Sequence, residues 1–264
     1  MAIQRARSDR FRSYLVLAAT AGTIVFNWLA AVGRVGGVTP KEVSDNYPTV
    51  VTPSGYAFTI WSLIYAGLVA FSIYQLLPRN VTRYRTLRSL YIFSCALNCA
   101  WILFWHSEQI AVCFAIIAGL WVTLLFINYR VRETDSHGEY WFVKAPFGLY
   151  FGWVTAAALV NFAVMLVYLK VPVSTGASVI VGVVLISLAT VLGIAARVRL
   201  VNYFFPLAVA WALTAIAVNQ GVHTSIVAAC AVGVIACLIA AASFVVNLPG
   251  SEDREWEIGQ NRER

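Results

Sequence analysis

The sequence predicts an all-α, polytopic integral membrane protein, and three observations carry that prediction. Of its 264 residues, 60% are hydrophobic and only 12% charged, a balance that water-soluble globules of this size do not show. Apolar runs recur at the length of a bilayer crossing, where a hydrocarbon core about 30 Å thick takes roughly 20 residues of helix. Lysine and arginine gather at alternate ends of those runs, as the positive-inside rule requires.

Eight runs emerge, near residues 13–33, 54–77, 89–106, 109–129, 145–169, 177–196, 201–220 and 223–247. The first follows the basic stretch RARSDRFR. At about 20 residues it exceeds the 7 to 15 of a signal-peptide apolar region, and it lacks an A-x-A site, so it reads as a retained helix. The second opens with TPSGYAFTIWSLIY, residues 52–65. Pro53 suits a first helical turn, where its missing N–H would be unsatisfied anyway, and Ser54 with Gly55 turns the chain from loop into helix. Tyr56 then reaches the interface, while Trp61 and Tyr65, four apart, stack on one helix face.

The third and fourth runs are parted only by HSEQ, and the seventh and eighth only by NQGVH, so each pair reads as a helical hairpin. The fifth run carries GLYFG, Gly148 to Gly152, whose GxxxG spacing lets another helix approach closely. At LKVPVSTGAS, residues 169–178, the composition changes from aromatic and amide-bearing to Val, Ile, Ala, Leu and Gly. The chain therefore divides into a five-helix core over 1–170, a three-helix extension over 171–248 and a polar tail over 249–264. No clear internal repeat relates the two parts, which weighs against an inverted-repeat transporter.

With eight crossings and both termini cytoplasmic, sixteen of the nineteen lysines and arginines fall on one side, leaving Arg34, Lys41 and Lys170 opposite. The formal charge of +7 thus faces anionic lipid heads and does not indicate nucleic acid. Cys95, Cys99, Cys113, Cys230 and Cys237 all lie inside spans, which indicates apolar packing and neither a disulfide framework nor a thiol metal site. Ionisable groups are missing from the middle of every span, so ion-coupled pumping and retinal chemistry lack their residues. His106, His137 and His223 sit at loops or helix ends without a partner at i, i+4, and no hydrolytic or nucleotide motif occurs.

What the spans hold instead is aromatic surface interrupted by single amides, Asn27, Asn98 and Asn161, which suit interhelical hydrogen bonds. Trp28, Trp105 and Trp141 lie near span ends, where indoles anchor at the headgroup level. Trp61, Trp101 and Trp153 lie deeper, as packing residues or as the wall of a ligand pocket.

Three motifs resemble the TspO or translocator-protein family, also called tryptophan-rich sensory proteins. Pro53, Trp61 and Tyr65 match a proline, a tryptophan eight residues on and a tyrosine four further. Asn98, Trp101, Phe104 and Trp105 in NCAWILFW match an N-x-x-W pattern followed by aromatics. Trp153 and Asn161 in WVTAAALVN match a tryptophan followed eight residues later by an asparagine. The long first loop, SDNYPTVVTPSGYAF, resembles that of a longer bacterial-type branch. The sequence departs from the pattern at Ala57, where the family has a phenylalanine here displaced to Phe58, at Pro146, and in having helices six to eight.

The resemblance implies a TspO-like five-helix core, with three further transmembrane helices, that binds flat hydrophobic molecules, above all porphyrins and other tetrapyrroles and in some members sterols. In that reading Trp61 and Trp153 form aromatic walls, Asn98 and Asn161 supply hydrogen bonds, and Pro53, Tyr65, Trp101 and Phe104 complete the site. The resemblance implies no required cofactor and a porphyrin or sterol-like molecule as ligand. Partners are membrane lipid and the hydrophobic molecule, with homodimerisation plausible, and a bacterial chain would sit in the cell membrane. Two other functions stand beside ligand binding in a sensory, regulatory or trafficking role: transport of a small hydrophobic solute, and light-dependent porphyrin breakdown.

Overall fold

The computed structural model describes residues 2–134 and 136–243. Eight principal helices run back and forth: α1 (Ala2–Ala31), α2 (Ile60–Tyr74), α3 (Arg85–His106), α4 (Ile110–Arg130), α5 (Ala145–Tyr168), α6 (Thr175–Arg199), α7 (Phe204–Asn219) and α8 (Thr224–Ala242). The predicted tail, 249–264, lies outside the described residues.

Within a bilayer the outer face of a helix must be apolar, and polar groups turn inward to bond other helices. Helix α1 follows this rule: its buried residues Ser13, Val16, Thr20, Thr23, Asn27 and Ala30 recur at alternating steps of three and four, one face of a helix. That stripe meets α2 and α3. The Thr20 hydroxyl lies 2.6 Å from that of Ser72 and 2.7 Å from that of Tyr91, and Gln75 Nε2 donates to the Ser13 carbonyl at 3.0 Å.

Helix α5 is central, packing against α2, α4, α6 and α7, and every residue from Val143 to Ala156 is buried. A π-helical turn, Tyr140–Lys144, leads into it and sets Pro146 in its first turn. The GxxxG pair in α5 makes the close approach its spacing predicts, and the partner is α7. A Cβ on Gly152 would lie 2.4 Å from the Phe205 carbonyl oxygen, and one on Gly148 would overlap the Asn202 side chain. One apolar core therefore continues from Ile64 and Phe71 through Phe147 and Phe151 to Phe205, Leu213 and Ile226.

Among the described residues, seven helical segments are long and apolar enough to cross a membrane. The seventh predicted span differs. Helix α7 has 16 residues, about 24 Å at 1.5 Å per residue, where a 20-residue crossing was expected. Its short length is tolerated because its ends hydrogen-bond within the protein. Asn202, 1% exposed, donates to Asn128 Oδ1 at 3.2 Å and the Lys144 carbonyl at 3.0 Å, while its own oxygen accepts from Phe204 N and Phe205 N. At the far end Gln220 Nε2 donates to the carbonyls of Thr49 and Thr52, both at 3.1 Å.

The second run also starts differently. A 3₁₀ turn, Gly55–Thr59, precedes α2, with Ser54 as its cap, so Pro53 lies just outside the helix and not in its first turn. The cause is long-range: Ser54 N donates to the Ala215 carbonyl of α7 at 2.9 Å, which holds the chain extended until Gly55.

Candidate functional site

Where α2, α3, α4, α5 and α7 converge under the first loop, the structure encloses a cavity of about 60 Å³. Six of the eight residues singled out from the sequence line it: Pro53, Trp61, Asn98, Trp101, Trp153 and Asn161. Tyr65 and Phe104 do not. Tyr65 stacks on Trp61 with centroids 5.2 Å apart at 22° and backs that wall, while Phe104 packs in a small neighbouring cluster around Trp105, Ile110 and Val164.

The walls hold one another by ring contacts. Trp61 stands edge-on to Trp153 at 6.3 Å and to Tyr150 at 5.8 Å, and Phe58 stands edge-on to Trp153 at 6.0 Å. These geometries suit the quadrupoles of the rings. Phe58 thus reaches the cavity from one residue beyond the place where the family pattern has its phenylalanine. Trp105, predicted as a headgroup anchor, is instead 3% exposed; it stacks on Trp101 at 5.2 Å and donates to the Pro40 carbonyl at 3.0 Å. The first loop folds over this helix end, so the level that would meet lipid heads is covered by protein. Trp28 and Trp141 are exposed, as anchors require.

The amides join helices across the site. Asn27 Nδ2 donates to Asn98 Oδ1 at 2.8 Å, and Trp101 Nε1 donates to Asn161 Oδ1 at 3.1 Å. Trp105, Trp121 and Trp211 also meet acceptors. The Trp61 and Trp153 indole N–H groups differ: among the described residues neither meets an acceptor. None of the described residues that line the cavity is ionisable.

Sequence reasoning missed the contribution of α7, whose Ala212 and Ile216 close one side. Small and branched apolar residues in an apolar helix carry no signal that separates a cavity wall from a lipid contact. The roof is the first loop, in which Thr39 and Glu42 cap the short helix Pro40–Asp45 reciprocally. Bonds to the α3–α4 turn and to α7 strap it down: Tyr47 to Glu108 Oε2 at 2.7 Å, Asn219 Nδ2 to the Thr52 carbonyl at 3.0 Å, and those from Gln220.

Neither a curated protein nor a solved structure matches the chain. A family model does: that of the TSPO-like protein family matches residues 13–244, from α1 through α8. The match covers the extension as well as the tryptophan-lined helices, and the chain belongs to the TSPO-like protein family.

Proposed function

We propose that the tryptophan-lined cavity takes a flat hydrophobic ligand, a porphyrin or related tetrapyrrole, and that the protein acts in sensing, regulating or trafficking it. The observation that carries this reading is the pair of indole N–H groups on Trp61 and Trp153, which have no acceptor among the described residues and stand in a wall of rings. Both residues line the cavity with a donor that the described residues do not engage, and a ligand with ring nitrogens or carboxylates supplies an acceptor for each. Aromatic walls suit a planar guest by stacking.

Ligand sites usually enclose about 300–1,000 Å³, so a cavity of about 60 Å³ must open to admit such a guest. In this reading the roof is the part that moves. Its straps to α7 and the α3–α4 turn are a handful of hydrogen bonds, worth about 0.5–1.5 kcal/mol net each between neutral groups and about 1.5–3 kcal/mol for Tyr47 to Glu108.

The test is a titration of the detergent-purified protein with protoporphyrin, followed by tryptophan fluorescence. Saturable quenching is expected, with weaker affinity in Trp61→Ala and Trp153→Ala. Quenching that is unsaturable, or unchanged in both variants, refutes the assignment.

A further inference from the structure

A second and larger space lies at the first-loop end of the bundle, a cleft of about 610 Å³ within the size range of small-molecule sites. It is walled by the first loop, the end of α5, the start of α6 and the α7–α8 turn, and it shares no lining residue with the tryptophan cavity. Its lining joins apolar Val51, Ala163, Leu166, Val181 and Leu185 to the charged Asp45 and Lys170 and to polar residues of the loop and turn.

Those charges do not balance. Asp45 is paired with Lys41 at 2.5 Å, and the amides of Asn219 and Gln220 are engaged by first-loop carbonyls. The ammonium of Lys170 has no hydrogen-bond or ion-pair partner among the described residues. Its backbone is fixed where α5 ends, at φ 53°, by bonds from Lys170 N to the Val167 carbonyl and from Val171 N to the Leu166 carbonyl. Exposed Val167, Val171 and Val173 flank it, so apolar surface leads from the outside of the bundle to an exposed cation that no described residue pairs.

We propose that this cleft binds a single-chain amphiphile with a carboxylate head, the acid resting on Lys170 and the chain lying along the apolar lining. Charge complementarity selects the head, because Lys170 would repel a cationic head and a neutral one would gain nothing from it. The bounded apolar lining selects one chain, since a two-chain phospholipid carries twice the apolar bulk on one head.

The experiment uses the full chain in nanodiscs of neutral lipid, with dansyl-undecanoic acid and its methyl ester as probes and empty nanodiscs as the blank. Saturable binding of the acid is expected, weakened about threefold to fivefold by Lys170→Gln, the scale of one exposed ion pair. The ester should bind wild type as weakly as the acid binds that variant and should not respond to the substitution. Val181→Trp, which fills the apolar part of the cleft, should abolish both, and Trp61→Ala should change neither, which separates this cleft from the tryptophan cavity. Oleate should displace the acid. Equal binding of acid and ester, an unchanged affinity in Lys170→Gln, loss of binding in Trp61→Ala, or displacement by phosphatidylglycerol in place of oleate would each overturn the proposal.

Discussion

Replacing Gly152 with alanine probes the contact on which both the fold and the cavity depend. The new Cβ would sit 2.4 Å from the Phe205 carbonyl oxygen and 2.9 Å from Ala208 Cβ. Ordinary contact begins near 3.4 Å, so α7 must retreat by roughly 1 Å, and a backbone carbonyl cannot rotate aside as a side chain can. Overpacking of this kind costs about 1–3 kcal/mol, and a backbone clash belongs at the upper end. Alanine returns about 1 kcal/mol of helix propensity, which leaves a net loss near ~2 kcal/mol. For a chain of this size that lowers the melting temperature by about 4–8 °C. Gly22→Ala is the control, because nothing lies within 4 Å of its added Cβ, and it should keep the propensity gain. Thermal unfolding in detergent, read by tryptophan fluorescence, compares the two. Equal melting temperatures for Gly152→Ala and Gly22→Ala would refute the claim that α5 and α7 touch through their backbones.

Two further perturbations test the loops. The Glu108 carboxylate that accepts the Tyr47 hydroxyl pushes that phenol from 10.0 up to about 12. Its contribution is complete below pH 10.0 and is lost as the pH rises through about 12. Ultraviolet titration of Tyr47→Phe should show one tyrosine fewer ionising near pH 12 than wild type, and an unchanged titration would contradict the contact. Val201, β-branched and exposed, holds φ at 52° in the α6–α7 turn, a conformation that costs L-residues roughly 1–2 kcal/mol. Val201→Gly should raise the melting temperature by about 2–4 °C, and a fall would place the strain elsewhere.

Most of the helical architecture was legible because hydrocarbon imposes a simple code: charge-free runs mark crossings and short polar turns mark hairpins. The code failed where protein replaces lipid as the surroundings. Helix α7 could be shorter than a crossing because Asn202 accepts from its first N–H groups and Gln220 ties its far end to first-loop carbonyls. Trp105 looked like an anchor by its position, yet the first loop covers it. Motif spacing brought six residues to one cavity because, Pro53 apart, the residues of each motif lie on one helix whose phase is fixed by the 3.6-residue turn. Tyr65 and Phe104 share those helices but point past the cavity, which spacing alone does not resolve. The role of Ala212 and Ile216 was invisible, since it depends on Gly148 and Gly152 drawing α7 inward.

The grip of α7 on the earlier chain also bears on how the molecule is made. Synthesis delivers the N-terminal segments first. When the fifth helix has emerged, Ser54 N still lacks the carbonyl of Ala215, and the Ala57 carbonyl still lacks the indole of Trp211. The carbonyl of Thr52 waits longer, for Asn219 and Gln220. The first five helices can enter the bilayer one after another and already offer the loop Glu108 and Trp105, but its later half has no partners until a ribosome has passed residue 220. The loop is therefore seated in two stages, its Pro40–Tyr47 half by α3 and its Thr52–Ala57 half only once α7 has been made.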